Sequence, residues 1–329
     1  MNKKGIIVFS MFSIFVFSVA GQGTHTFNLD LKIGAMYGTA YEIIYNNSAN
    51  SQYNSELQWN IKPLWFTGLS VEYVPKEPYK KNNIYGAIEL IIGLPIETGL
   101  MEDRDWLTPT TTPGSLTLFS SHENKTNAAI LANFECGLSL PLTNNILMKV
   151  YLGFSYMYYK FEAWDGYIQY GSNNHQPNEA NPYTPWDSSW TKVQMYGLGI
   201  DYTQHFFIVK PGIEFIWEIK SFRLNIGISV SPLIACITED NHYQRNPSFL
   251  LNSNLSGGLF IEPKMRFLYM FFDNFGVGVS FSYRYIEGLR GDIEQSEYLT
   301  TGTVTKKFAN ISGVAYSAFT AEITVRVTF

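Results

Sequence analysis

Two short windows hold most of the chemistry that this chain offers. Met101-Glu102-Asp103-Arg104-Asp105-Trp106 and Glu239-Asp240-Asn241-His242-Tyr243 together carry five acids and a histidine. Acids at i and i+2 on an extended segment point the same way, so one can hold a proton while its neighbour stays charged. A histidine two residues from a carboxylate is a base whose pKa that carboxylate raises. Such groups suit the activation of water by general acid–base chemistry. The same residues also read as acidic outer loops that bind divalent ions or stay solvated, and their spacing leaves both readings open.

The elements that must position these windows are strands. Leu57, Trp59, Ile61, Trp65, Leu69, Val71 and Tyr73 stand at odd positions against Gln58, Asn60, Lys62, Ser70 and Glu72 at even ones. That is the period of a strand with one apolar face. The pattern returns in Phe27-Leu29-Leu31-Ile33, in Ile130 to Leu138, in Leu224 to Val230, in Leu259 to Tyr269 and in Val277 to Tyr283. It closes the chain, where Ala321, Ile323, Val325, Val327 and the terminal Phe329 alternate with Glu322, Thr324, Arg326 and Thr328. The expected fold is all-β, a ten-stranded antiparallel transmembrane β-barrel projecting above the outer membrane. Its strands are expected near 26–45, 55–73, 84–95, 126–141, 145–165, 194–219, 222–240, 253–270, 274–288 and 308–329. Short turns near 142–145, 219–222 and 272–275 would face the periplasm, and long loops at 96–125, 166–193, 241–252 and 289–307 the outside. Several strands exceed the ~9–11 residues that cross a bilayer, which leaves room for an external cleft.

Composition narrows the function classes. Charged residues make up 16% of the chain, against roughly 25% in ordinary soluble domains. Twenty-four Phe, 22 Tyr and 7 Trp exclude long disorder. Mean hydropathy is only −0.06, and past residue 20 no run of about 18 apolar residues occurs, which excludes a helical membrane protein. A net charge of −5 gives nucleic acid no reason to bind. Lys3 and Lys4, an apolar stretch and Ser18-Val19-Ala20 mark residues 1–20 as a signal peptide, with the barrel spanning 21–329. Cys136 and Cys236 lack metal-ligand spacing and read as small lipid-facing residues. Asp30, Lys32, Lys62, Glu72, Glu135, Lys149, Glu262, Lys264, Arg266, Arg284, Glu322 and Arg326 have lumen-facing parity and would fill a narrow interior with salt links.

The sequence resembles the omptin family of outer-membrane endopeptidases. Asp103-Arg104-Asp105-Trp106 resembles the family's first acid pair, and Asp240-Asn241-His242-Tyr243 its Asp-x-His-Tyr couple. Glu56-Leu57-Gln58-Trp59, Tyr41-Glu42-Ile43-Ile44-Tyr45, and Pro113-Gly114 with Ser120 and His122 resemble neighbouring family segments. The resemblance implies an aspartic-type endopeptidase with no metal and no cofactor, its active site facing outside, acting on extracellular peptides or proteins. Asp240 would orient His242 and stabilise its charged form, His242 and Asp103 would hold the attacking water, and Asp105 would support Asp103.

The match also departs from the family. Glu42 corresponds to an acid of the family's pocket for basic side chains, but Thr238 and Leu118 replace two further acids, so selection for Arg or Lys is expected to be weaker. The family's lipopolysaccharide-binding positions fall on Phe154, Tyr156, Tyr158 and His205, a set better suited to an aromatic girdle in outer-membrane lipid. That substitution argues against dependence on lipopolysaccharide. Strand parity raises a conflict, because even positions face outward near Cys236 and would aim Asp240 and His242 away from the lumen. A bulge between Cys236 and Asp240 is expected to resolve it. The rival readings are a catalytically silent barrel acting as an adhesin and a small porin.

Overall fold

The computed structural model describes residues 25–46, 52–75, 77–171, 181–245 and 247–329. The expected signal peptide lies outside the described residues, as do residues 172–180 of the second long loop. The strands are β1 (His25–Tyr45), β2 (Tyr53–Pro75), β3 (Asn83–Gly93), β4 (Ile96–Asp105), β5 (Leu118–Pro141), β6 (Ile146–Tyr170) and β7 (Val193–Gln194). They continue with β8 (Leu198–Ile219), β9 (Phe222–Ser231), β10 (Ile234–His242), β11 (Ser248–Ser256), β12 (Leu259–Phe272), β13 (Phe275–Leu299) and β14 (Gly302–Thr328). Every pairing between them is antiparallel.

The sheet closes on itself because β14 pairs β1 from Asn28↔Thr328 to Ile44↔Ser312. The ring runs through ten strands, with β4 continuing β3, β10 continuing β9 and β11 leading into β12. Closure leaves this ring without a free edge, so its backbone groups pair strand to strand. The ladder runs farther than expected. β4 takes in residues 96–105, β5 begins at Leu118, and β13 and β14 form one long hairpin across the expected loop at 289–307. Asp103, Asp105, Asp240 and His242 therefore stand on strands rather than on loops.

The section nearest the termini follows strict alternation. Leu31, Ile33, Leu69, Phe134, Leu152, Ile226, Ile228, Phe319 and Ile323 are exposed on its outside, a surface suited to lipid. Inside, Asp30 binds Arg326 at 2.7 Å and Arg266 at 2.8 Å, Lys32 binds Glu322 at 2.9 Å, and Glu262 binds Lys210 at 3.0 Å and Arg284 at 2.5 Å. Lys149 pairs with Glu72. These charges leave a cavity of about 160 Å³ among them, a filled interior in place of a porin channel.

Farther from the termini the interior changes character. Leu57, Trp59, Ile61, Met36, Met101, Tyr159, Phe161, Tyr202, Phe206 and Tyr316 form one buried apolar cluster. Trp59 stacks on Phe161 and on Tyr202, with ring centroids 5.6 Å apart in each case, and the Tyr159 and Tyr316 hydroxyls hydrogen-bond at 2.7 Å. The run 57–73 is thus not a single alternation. The register slips where Met36↔Leu64 gives way to Gly38↔Ile61, an extra residue accommodated at Lys62-Pro63. Proline has no N–H to give a ladder, so the slip falls there, Trp59 turns inward and Lys62 is exposed outside rather than lumen-facing. Similar slips occur at Glu97/Gly99, Thr126/Ala128 and Ile286/Leu289.

The bulge that aims the second window inward also lies earlier than expected. The β8 partner shifts from Gly212↔Ser229 to Ile208↔Ile234 across Ser231-Pro232-Leu233, not between Cys236 and Asp240. Pro232 again interrupts the ladder, and the Ser231 hydroxyl accepts the Leu233 N–H at 2.9 Å in its place. From Ile234 on, even positions face inward. Cys236 is consequently buried inside, against expectation, while Cys136 is exposed on the outside; both are free thiols.

Candidate active site

β4 and β10 carry their acids at alternate positions, so each strand aims its set into the barrel mouth and its intervening residues outward. Asp103 and Asp105 are buried inward, while Arg104 and Glu102 form an ion pair on the other face. β4 is held on both sides, by Leu57↔Asp103 from β2 and by Asp103↔Ser120 and Asp105↔Leu118 from β5. On β10, Thr238, Asp240 and His242 are all buried inward. His242 Nε2 lies 2.5 Å from Asp240 Oδ2, and its ring stacks on Phe249 of β11 at 4.3 Å. With Nε2–H given to the carboxylate, Nδ1 carries the lone pair of the neutral ring.

Burial dominates the electrostatics. It holds the Asp103 carboxyl well above the usual carboxylate range, with the Asp105 charge adding to it and Arg245 opposing. Burial raises Asp105 as well, against a hydrogen bond from Ser55 and the Arg245 charge. Glu42 is raised by burial and then by Asp240, against which its carboxyl lies, and Asp240 is raised by burial and by Asp201. Glu42 Oε2 and Asp240 Oδ1 are buried without another hydrogen-bond partner, as two carboxyls sharing one proton require. His242 runs against expectation. Burial first, and then the Arg245 charge, push it down to about 3, outweighing the opposing pull of Asp105. The imidazole is neutral at physiological pH, as a general base must be.

All seven residues singled out from the sequence point into the mouth. Glu42 reaches Asp240 from β1; Thr238 sits one inward step below Asp240 and pairs with Gln204 and Ser253; Leu118 lies opposite Asp105. Arg245 escaped sequence reasoning, and so did the contact between Ser120 and His122, two residues it had named. Arg245, three residues past His242, is exposed to solvent on one side, and the neighbouring Asp103, Tyr170 and Asp105 raise its pKa. A basic residue two positions after an acidic motif is the signal that would have marked it. On β5, His122 Nε2 lies 3.0 Å from Ser120 Oγ, and its Nδ1 meets the Asp165 carbonyl. A backbone carbonyl in the place of a carboxylate leaves this pair without the acid of a hydrolytic triad. Among the described residues, no cluster of three or more His, Cys, Asp or Glu side chains is arranged to hold a metal.

On the outside, Phe154 is exposed, Tyr156 gives or takes a 2.9 Å hydrogen bond with His205 Nδ1, and Tyr158 packs on the His205 ring at 4.7 Å.

The sequence profile of the Omptin family matches residues 23–329. The fold is similar to that of the outer membrane protease OmpT from Escherichia coli, with a TM-score of 0.80 and 18% identity over 92% of this chain and 97% of that one. The translocator domain of the autotransporter NalP from Neisseria meningitidis gives a TM-score of only 0.34 at 8% identity, over 99% of this chain and 96% of that one. OprG from Pseudomonas aeruginosa gives 0.32 at 10% identity, over 91% and 96%. No curated protein sequence matches significantly.

Proposed function

Because the chain belongs to the Omptin family, we propose that it is an outer-membrane endopeptidase, its mouth facing outward, that hydrolyses extracellular peptides or proteins with an activated water. The observation that carries this reading is the meeting of Asp103 and Asp105 with the Asp240–His242 couple in one buried mouth. Water held between His242 and Asp103 loses its proton to the neutral imidazole as it attacks the scissile carbonyl. Asp240 stabilises the imidazolium that forms, as a buried carboxylate does for a catalytic histidine. The proton held by the Asp103–Asp105 pair is available to the leaving amine, and Arg245 supplies positive charge where the carbonyl oxygen becomes negative. General-base activation contributes about 10²–10⁴-fold, so positioning and electrostatics must supply the rest.

Specificity follows from Glu42, Thr238 and Leu118. One carboxyl remains in the pocket, shared with Asp240, while Thr238 and Leu118 add no charge. Cleavage beside basic residues is retained but less selective. Dependence on lipopolysaccharide is not expected, because the exterior positions that would hold it carry packed aromatics around His205.

The test is cleavage of a fluorogenic dibasic peptide by wild type beside His242→Ala. The variant should lose at least about 10²-fold in kcat while its barrel stays heat-modifiable on gels. A fully active His242→Ala variant removes the mechanism.

A further inference from the structure

The second window contains three side chains that hydrolysis does not use, Glu239, Asn241 and Tyr243, and the last two matter here. Asn241 and Tyr243 alternate with Asp240 and His242, so they lie on the outer face of β10. Both end on one carboxylate there. Asn241 Nδ2 donates to Asp201 Oδ1 at 2.8 Å, and the Tyr243 hydroxyl donates to Asp201 Oδ2 at 3.0 Å. Lys160 Nζ balances the charge at 3.1 Å. Asp201 stands on β8 directly across from Asn241 and is only 8% exposed.

The location gives these bonds their importance. The β10–β8 ladder ends at His242↔Ile200; beyond it the Tyr243 N–H donates to the Gly199 carbonyl at 2.9 Å, and the Gln244 side chain donates to the Tyr196 and Leu198 carbonyls at 2.8 and 3.1 Å. The residue carrying the base therefore sits at a strand terminus, where β-structure frays first. We propose that Asp201 is a positioning residue for the hydrolytic reaction: by tying Asn241 and Tyr243 to β8 from outside, it fixes the terminus that carries His242. The imidazole then keeps its bond to Asp240 and its seat on Phe249. A misplacement of about 1 Å in a reacting group costs on the order of 10²-fold, so a few external hydrogen bonds can control the rate without touching substrate.

This inference rests on the endopeptidase reading, and its test separates the two. Kinetic constants on the fluorogenic peptide are measured for wild type, Asp201→Ala, Asp201→Asn, Tyr243→Phe and the pairs Asp201→Ala/Tyr243→Phe and Asn241→Ala/Tyr243→Phe, each normalised to heat-modifiable, folded barrel. Asp201→Ala should lower kcat by roughly 30- to 100-fold with KM within about threefold, and Asp201→Asn, which keeps an acceptor oxygen, should recover part of the loss. Tyr243→Phe should lower kcat by roughly 3- to 10-fold and add nothing to Asp201→Ala, because both remove the same contact. The Asn241→Ala/Tyr243→Phe pair leaves Asp201 and Lys160 intact and should approach Asp201→Ala, which decides the matter if Asp201→Ala does not fold. Wild-type kcat in that pair, or losses that multiply in the Asp201→Ala/Tyr243→Phe variant, overturns the proposal while the endopeptidase reading stands. A wild-type chain that cleaves nothing overturns that reading instead.

Discussion

The barrel has two sections built on opposite rules. Near the termini the outside is apolar and the inside is a lattice of buried charges in which Asp30, Glu72 and Glu262 each meet two cations. Toward the mouth the inside is an aromatic cluster capped by carboxyls, and the outside carries Arg104, Glu102, Lys160 and Asp201. In the first section each charge is compensated, whereas in the second the carboxyls crowd together and are held up by burial and by one another. Compensated charges fill and fix an interior; crowded carboxyls keep protons available for chemistry. The slips at Pro63 and Pro232 separate these sections, because one extra residue in a strand exchanges its two faces.

The largest effect that would break this contrast is at the mouth. Asp103→Asn should abolish peptide cleavage, with a loss of at least about 10²-fold, and leave heat-modifiability unchanged. The reverse is expected of Arg326→Ala. It removes one of the two cations from both Asp30 and Glu72 and leaves them to Arg266 and Lys149, so the cost stays below the ~3–5 kcal/mol of an uncompensated buried charge, and denaturant midpoint and folded yield should fall while kcat per folded molecule stays near wild type. A smaller change sharpens the picture of the pocket. Thr238→Asp adds a carboxyl one inward step from Asp240 and should raise kcat/KM for Arg or Lys peptides over neutral ones by roughly tenfold, read in paired peptide assays. The smallest is a displacement of the pH profile. The Arg245 cation disfavours imidazolium at His242 and disfavours the protonated form of Asp103, so Arg245→Ala should raise both groups and move both limbs of kcat/KM to higher pH. A profile that stays in place would remove Arg245 from the site.

The sequence made the charged section legible, because strict alternation from Leu224 to Val230 or from Val277 to Tyr283 has one reading. It misplaced Lys62 and Cys236 for a physical reason. Periodicity is blind to a single inserted residue, although Pro63 and Pro232, the residues that cannot give a ladder hydrogen bond, were visible in advance. That Asp103 and Asp105, and likewise Asp240 and His242, share one face of a strand was legible from their i, i+2 spacing. Asp201 was not, because its role depends on a cross-strand pairing with Asn241, 40 residues away in sequence. His242 was legible as the partner of Asp240, but the sign of its shift was not, since that depends on burial and on Arg245 rather than on its nearest carboxylate.

The stacked rings of Trp59, Phe161 and Tyr202, with Tyr159 and Tyr316, lie across the bore between the mouth and the charged lattice. They make the mouth a blind well with an insulating floor. The upper carboxyls are set apart from the ion lattice beneath, and a peptide that entered the well would have to leave by the way it came. On the endopeptidase reading, both halves of a cleaved chain would then be returned to the side from which it came, so the molecule would alter its surroundings without importing any of them.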